Sequence, residues 1–225
     1  RLPGILLVVV SAIGYGSGPL FAKAIYPTGF DWLDLLVWRH LLAWPADSKT
    51  VGMQRVAIEA VIEAPSGPLR VITTHLEYYS KTQRAAQVEH LRALHAEACA
   101  HSSDQGLAKH VGSPFEARIR PTRALLCGDF NFLVDSDDHA RIQQPIANAP
   151  RWLDAWRLLN PDTPHPHTNG VHDRDQWPSP HTCDFVFVTE DLAPEVRSLS
   201  VNAETDASDH RPVLIELGSL ASANH

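Results

Sequence analysis

A chain of 225 residues, 44% of them apolar, is long enough for one large domain or two small ones. Its formal net charge of -7 excludes the profile of a protein that grips nucleic acid tightly and without sequence preference, which needs many lysines and arginines against phosphates. The sign does not exclude a nuclease, since a bound metal can supply local positive charge. Cys99, Cys127 and Cys183 are odd in number and lack metal-ligand spacing, so buried reduced thiols are expected.

The first 44 residues differ in kind from the rest. Gly4 to Ala22 carries no charge and approaches the roughly 20 residues a membrane-spanning helix needs. A second apolar block, Trp32 to Trp44, holds Asp34, Arg39 and His40. The expectation is an apolar helical segment over 1–44 that reaches a membrane through residues 4–22; a signal peptide and a buried core helix are the competing readings. At Pro45 the chain turns polar (PADSKTVGM), which places a linker at 45–54, a main domain at 55–217 and a tail at 218–225.

Arg55 to Glu63 alternates, with Val56, Ile58, Ala60 and Ile62 on one face and Glu59 and Glu63 on the other, the period of a half-buried strand. APSGP (64–68) has turn chemistry, so Leu69 to Leu76 completes a hairpin with His75 at its exit. Ser80 and Gln83 have capping-box spacing ahead of an amphipathic helix from Lys81 to about Ala100. His101 to Arg123 reads as a loop, and Leu125 to Phe132 as a strand ending in Gly-Asp-Phe-Asn. The acidic stretch after it leads to a short helix over 140–148, with Asp135, Asp137 and Asp138 solvated rather than bound to calcium. Leu153 to Leu159 is a short helix or strand. Asn160 to His181, rich in proline and histidine, is a loop over the site; His165, His167, His172 and His181 with Cys183 lack the paired spacing of structural zinc.

Four segments share one grammar, an apolar run meeting a polar residue or pair. They are RVITTHL with His75, LLCGDFNF with Asp129 and Asn131, TCDFVFV with Asp184, and SDHRP with Asp209 and His210. In a strand Asp129 and Asn131 share a face while Phe130 points back into the core. In this order the four motifs resemble the endonuclease/exonuclease/phosphatase superfamily, the DNase I-like fold, over about residues 49–217. Residues 1–44 resemble the opening of an EamA-like drug/metabolite transporter, an apparent fusion. The implied fold class is α+β: a partial DNase I-like α/β sandwich, its C-terminal half a mixed sheet with flanking helices, behind the apolar helical segment.

What the resemblance implies is metal-dependent hydrolysis of a phosphodiester or phosphomonoester by in-line attack of water, assisted by Mg²⁺ or Mn²⁺. Asp129 would orient or deprotonate that water, and Asn131 would hold the water or a phosphate oxygen. His210 would stabilise charge on the transferring group with Asp209 setting its orientation, while His75 and Asp184 complete the rim; Asp209 and Asp184 are the metal ligands. The substrate would be nucleic acid, a phospholipid headgroup or a small phosphate ester, met in the cytoplasm or at a membrane. The family pattern begins with strands ending in an asparagine and a metal-binding glutamate, and residues 1–44 contain no glutamate. Impaired metal binding is therefore expected, as is an uncovered sheet face open to self-association. The alternative is a membrane-associated transporter fragment carrying a catalytically silent passenger.

Overall fold

The computed structural model describes residues 5–7, 36–41, 50, 55–102, 120–172 and 175–218. In chain order these give β1 (Ile5–Leu7), β2 (Leu36–Leu41), β3 (Val56–Ala64), β4 (Gly67–His75), α1 (Lys81–Ser102), β5 (Ala124–Asp129) and α2 (Asp137–Ile142). There follow β6 (Trp152–Asp154), α3 (Ala155–Leu159), β7 (Asp184–Thr189), β8 (Val196–Val201) and β9 (Val213–Leu217). A six-stranded sheet has the order β2-β3-β4-β5-β7-β6, and a three-stranded sheet the order β1-β9-β8. In the larger sheet β5 runs parallel to β4 and every other pair is antiparallel.

Two apolar cores follow from the strand period. Val71, Leu125, Cys127, Val186 and Val188 of the large sheet meet Val196, Val213, Ile215 and Leu217 of the small one. On the opposite face Ile72, Leu126, Phe130, Phe185 and Phe187 meet Val88, Leu91 and Leu94 of α1 and Ile142 of α2. The sheet face expected to lie uncovered is thus packed by β8 and β9, so nothing in these contacts calls for self-association.

The hairpin forms as expected, with Ala64 opposite Gly67. Glu59 does not face solvent. It is 1% exposed, because β3 is buried on both faces, and its charge is met by Arg70 at 3.3 Å and Arg120 at 2.6 Å. Only half of the capping box closes: Gln83 N donates to Ser80 Oγ, while Gln83 Oε1 has no partner. The acidic stretch starts a helix earlier than expected, because Ser136 caps α2 and sets Asp137 and Asp138 in its first turn, where the helix dipole favours them. Asp138 pairs with Arg84 and Asp135 with Arg157, in place of a calcium loop. Leu153 to Leu159 is both a strand end and a helix, switched by the Asp154 cap.

The helical reading of residues 1–44 is corrected where they are described. Ile5–Leu7 pairs antiparallel with β9, and Leu36–Leu41 pairs antiparallel with β3. The backbone edge of β3 offers unpaired N–H and C=O groups, and a strand satisfies them where a helix could not. The remainder of the 4–22 membrane segment and of the Trp32–Trp44 block lies outside the described residues, as do most of the 45–54 linker, the 101–123 loop and the tail. Among the described residues no helix is long and apolar enough to cross a membrane.

Two substitutions test this architecture. Gly128 has φ +144°, and a Cβ there would stand 1.9 Å from the Thr74 carbonyl oxygen, so Gly128→Ala should cost more than about 3 kcal/mol in urea unfolding. Glu59→Ala strands two buried guanidinium groups and should cost about 3–5 kcal/mol, far more than an exposed ion pair. Near-wild-type stability of either variant would contradict the packing described.

Candidate active site

The site is built by strand register. Parallel pairing sets His75 beside Asp129, and antiparallel pairing sets Asp184 on the other side of Asp129. Three polar side chains from three strands therefore stand in one row at the end of the large sheet. Below them Phe130 is fully buried against Phe132, Phe185 and Phe187, with centroid separations of 5.1, 6.1 and 5.2 Å. The rings anchor the strand end that presents Asp129.

Asn131 lies at φ +52°, a left-handed conformation that asparagine tolerates, and this turns the chain just past the strand. Its backbone N–H donates to Asp129 Oδ1 at 2.9 Å and its Nδ2 donates to the Leu76 carbonyl at 2.9 Å. The aspartate and asparagine are thereby locked to each other and to the end of the hairpin. His75 Nε2 stands 3.4 Å from Asp129 Oδ2.

His210 enters from the segment before β9. Its Nδ1 is 2.7 Å from Asp184 Oδ2, with both residues 4% exposed. The carboxylate that orients His210 is thus Asp184, whereas Asp209 is half-buried and accepts a 3.3 Å bond from the Ser208 hydroxyl. Adjacency in sequence suggests Asp209, but the fold brings Asp184, 26 residues away in the chain, against the ring.

Charge in this cluster is unevenly compensated. Burial, reinforced by the neighbouring Asp184 carboxylate, pushes the Asp129 carboxyl up to about 7. Burial alone would lower His210, but its bond to Asp184 and the charges of Asp184, Asp129 and Asp209 raise it above the usual histidine range. Burial, with the Arg55 and His210 charges, holds His75 down to about 4. At neutral pH the site therefore contains a carboxyl poised to exchange a proton, a histidine biased toward imidazolium and a neutral histidine at the rim.

The 160–181 loop contributes residues that sequence reasoning missed. Thr168 Oγ1 accepts the backbone N–H groups of Cys183 and Asp184, and the Thr168 carbonyl accepts from Arg211 N. Asn169 bridges to both His181 and His210, and its side-chain Nδ2 meets His210 Nε2. Cys183 Sγ lies 3.6 Å from Asp184 Oδ2 and 4.0 Å from His210 Nδ1. Further out, His165 and His139 both reach Asp154 Oδ2, at 2.8 and 2.9 Å, tying the loop to α2 and α3. His181 Nδ1 instead faces the Ser179 carbonyl. No local pattern around Thr168 or Asn169 marks them in the sequence, because their partners lie 15 to 41 residues away.

The donors nearest one another fit a divalent cation in charge but are mixed in kind. Carboxylates come from Asp129 and Asp184, and they are interleaved with the His210 imidazole and the Cys183 thiol. Among the described residues Asp129, Cys183 and His210 bring ligand atoms within 4.8 Å of one another.

No protein-family model and no curated protein matches this sequence. Solved structures do. An endonuclease/exonuclease/phosphatase from Bacteroides vulgatus superposes with a TM-score of 0.52 at 22% identity, covering 80% of this chain and 64% of that one. The human Nocturnin catalytic domain with bound sulfate gives 0.51 at 18% identity over 81% of this chain and 58% of its own. A Bacteroides thetaiotaomicron mannosyl-6-phosphatase gives 0.50 at 16%, covering 81% and 65%. This chain therefore has the DNase I-like α/β fold of endonuclease/exonuclease/phosphatase proteins, and it spans less than two thirds of the length of these three.

Proposed function

We propose that this protein is a phosphoester hydrolase that directs water in line at phosphorus, acting on a phosphodiester or phosphomonoester. The observation that carries this reading is the row His75–Asp129–Asp184 with His210 held by Asp184. Asp129, with a pKa near the working pH, takes the proton of the attacking water. Asn131, its amide fixed on the Leu76 carbonyl, orients that water or a phosphate oxygen. His210, biased toward imidazolium by its bond to Asp184, stabilises the negative charge that builds on the phosphoryl oxygens. Neutral His75 completes the rim as a hydrogen-bonding group. A divalent cation, Mg²⁺ or Mn²⁺, would neutralise substrate phosphate when bound, with Asp209 and Asp184 as the carboxylates that would hold it. Nucleic acid, a phospholipid headgroup and a small phosphate ester all present the group this chemistry needs.

Turnover of a chromogenic phosphodiester over a Mg²⁺ titration tests the assignment. Asp129→Asn and His210→Ala should each lower kcat by about a hundred- to ten-thousand-fold. Wild-type turnover in either variant would remove that residue from the mechanism.

Asp129 also predicts a pH-dependent exchange of stability for function. Its pKa rises on folding, so the native state holds a proton that the unfolded chain releases, and stability falls as pH rises from about 4 to about 7. Asp129→Asn removes the buried charge and keeps an acceptor for the Asn131 N–H. The variant should be more stable than the wild type at pH 8 by about 1–3 kcal/mol, with the gain gone at about pH 4. Urea midpoints at the two pH values measure this, and an unchanged midpoint at pH 8 would mean the carboxylate is already compensated.

A further inference from the structure

We propose that Asp129, Cys183 and His210 form a binding site for a thiophilic divalent cation, with Zn²⁺ the natural occupant, set within the candidate catalytic cluster itself. Three ligand atoms of different chemistry already lie within 4.8 Å of one another, and all three residues are buried. Ligand atoms around a tetrahedral zinc stand roughly 3.3–3.8 Å apart, given Zn–S near 2.3 Å and Zn–N near 2.0 Å. The observed 4.0 Å between Cys183 Sγ and His210 Nδ1 is within a small shift of that span. Asp184 Oδ2, 3.6 Å from the sulfur, supplies a fourth donor. A hard cation such as Mg²⁺ gains nothing from a thiolate, whereas zinc takes sulfur, nitrogen and oxygen together.

Geometry favours occupancy. The Asp129 and Asp184 carboxylates lie opposite each other in one strand register, both buried, with His210 Nδ1 2.7 Å from Asp184 Oδ2. A divalent cation would meet both carboxylates there.

A second observation concerns Asn169. It is 1% exposed, its Nδ2 meets His210 Nε2, and its Oδ1 is buried without a hydrogen-bond partner. Zinc on Nδ1 would replace the proton now shared with Asp184 and leave the neutral ring's single proton on Nε2. A half-turn of the Asn169 amide then offers Oδ1 to that N–H, the outer-shell bond that metal-ligating histidines usually make. The proton balance is closed. The Cys183 thiol loses its proton to solvent as the Zn–S bond forms, any proton on the Asp129 carboxyl leaves as that group ligates, and a further proton leaves wherever His210 starts as imidazolium.

The other convergent group, His139, Asp154 and His165, fits differently. The Asp135 N–H points at His139 Nδ1 at 3.4 Å, so the ring proton sits on Nε2, where it is donated to Asp154 Oδ2. Both histidines then act as donors to one carboxylate, which is a hydrogen-bonded clamp complete without metal. Cys99, the other thiol beside a histidine, has the Arg70 cation near it, which disfavours a second positive charge.

The test uses the full chain, reduced and stripped of metal, titrated with Co²⁺ and then with Zn²⁺. One equivalent of Co²⁺ should produce a thiolate-to-cobalt charge-transfer band that Zn²⁺ bleaches, with proton release to a weakly buffered indicator. Cys183→Ser should abolish the band, and Asn169→Ala should weaken Zn²⁺ binding about ten- to a hundred-fold by calorimetry. Near-ultraviolet circular dichroism identifies folded variants, and His139→Gln should leave the band in place. Absence of a sulfur band, its survival in Cys183→Ser, or cobalt binding that is lost only in His139→Gln would each overturn the proposal. None of these readouts needs turnover, so they stand or fall separately from the hydrolase reading. If both readings hold, Zn²⁺ must compete with catalysis, since it occupies Asp129 and His210.

Discussion

The close approach of β4 and β5 at Gly128 is the contact on which the rest of the site depends. Side chains project from alternate faces of a strand, so a one-residue slip of β5 would turn Asp129 toward the opposite core and bring Gly128 into the row with His75 and Asp184. The register is fixed at this point by sterics. Gly128 packs its bare Cα against the Thr74 carbonyl, and any side chain would force the two strands apart. Burial of the whole of β5 then leaves little freedom for slippage, because Leu125 and Cys127 serve one core and Leu126 with Phe130 the other.

From that fixed row the site is completed by a loop rather than by further sheet. Thr168 is the hinge of the arrangement, since one hydroxyl accepts the N–H groups of both Cys183 and Asp184 while its carbonyl takes Arg211 N. The loop is thereby stitched to the start of β7 and to the residue after His210. Asp154 serves the same end at longer range, capping α3 with one carboxylate oxygen and receiving His139 and His165 on the other. Burial would raise that carboxyl, but the hydrogen bonds and charges of His139 and His165 hold it well below the usual range. Orientation of the His210 imidazole therefore rests on a chain of polar contacts between the loop, the start of β7 and the segment before β9.

The sequence carried the strands and the polar residues at their ends, but not the contacts between distant segments. The hairpin, α1, β5 and β7 were legible because apolar periodicity and turn chemistry are local signals, and the ordered motifs pointed to His75, Asp129, Asn131, Asp184 and His210, which the fold brings together. Glu59 was misjudged because alternation assumes one solvated face, and β3 has none. The His210 partner was misassigned to its neighbour Asp209, since only the fold shows that Asp184 lies opposite. β8 was not anticipated, its exposed VRSLSV pattern being too polar to stand out. The strands at Ile5–Leu7 and Leu36–Leu41 were obscured by an apolar composition that suits a membrane helix and a sheet edge equally well.

The distribution of charge gives this site its character. A protein of net charge -7 that places two carboxylates in a buried row works against binding a phosphate anion, and His210 is the only histidine in the row biased toward a positive charge. Raising the Asp129 pKa lessens the conflict, because a carboxyl that is partly protonated near neutral pH repels phosphate less and, on the proposed hydrolytic reading, can still accept a proton as water attacks. A divalent cation would reduce it further, at the cost of making the outcome depend on which cation arrives. Oxygen donors alone would favour hard ions, and the sulfur of Cys183 beside them shifts the balance toward soft ones. The same burial that raises the Asp129 pKa thus creates the demand for positive charge that a bound metal would meet.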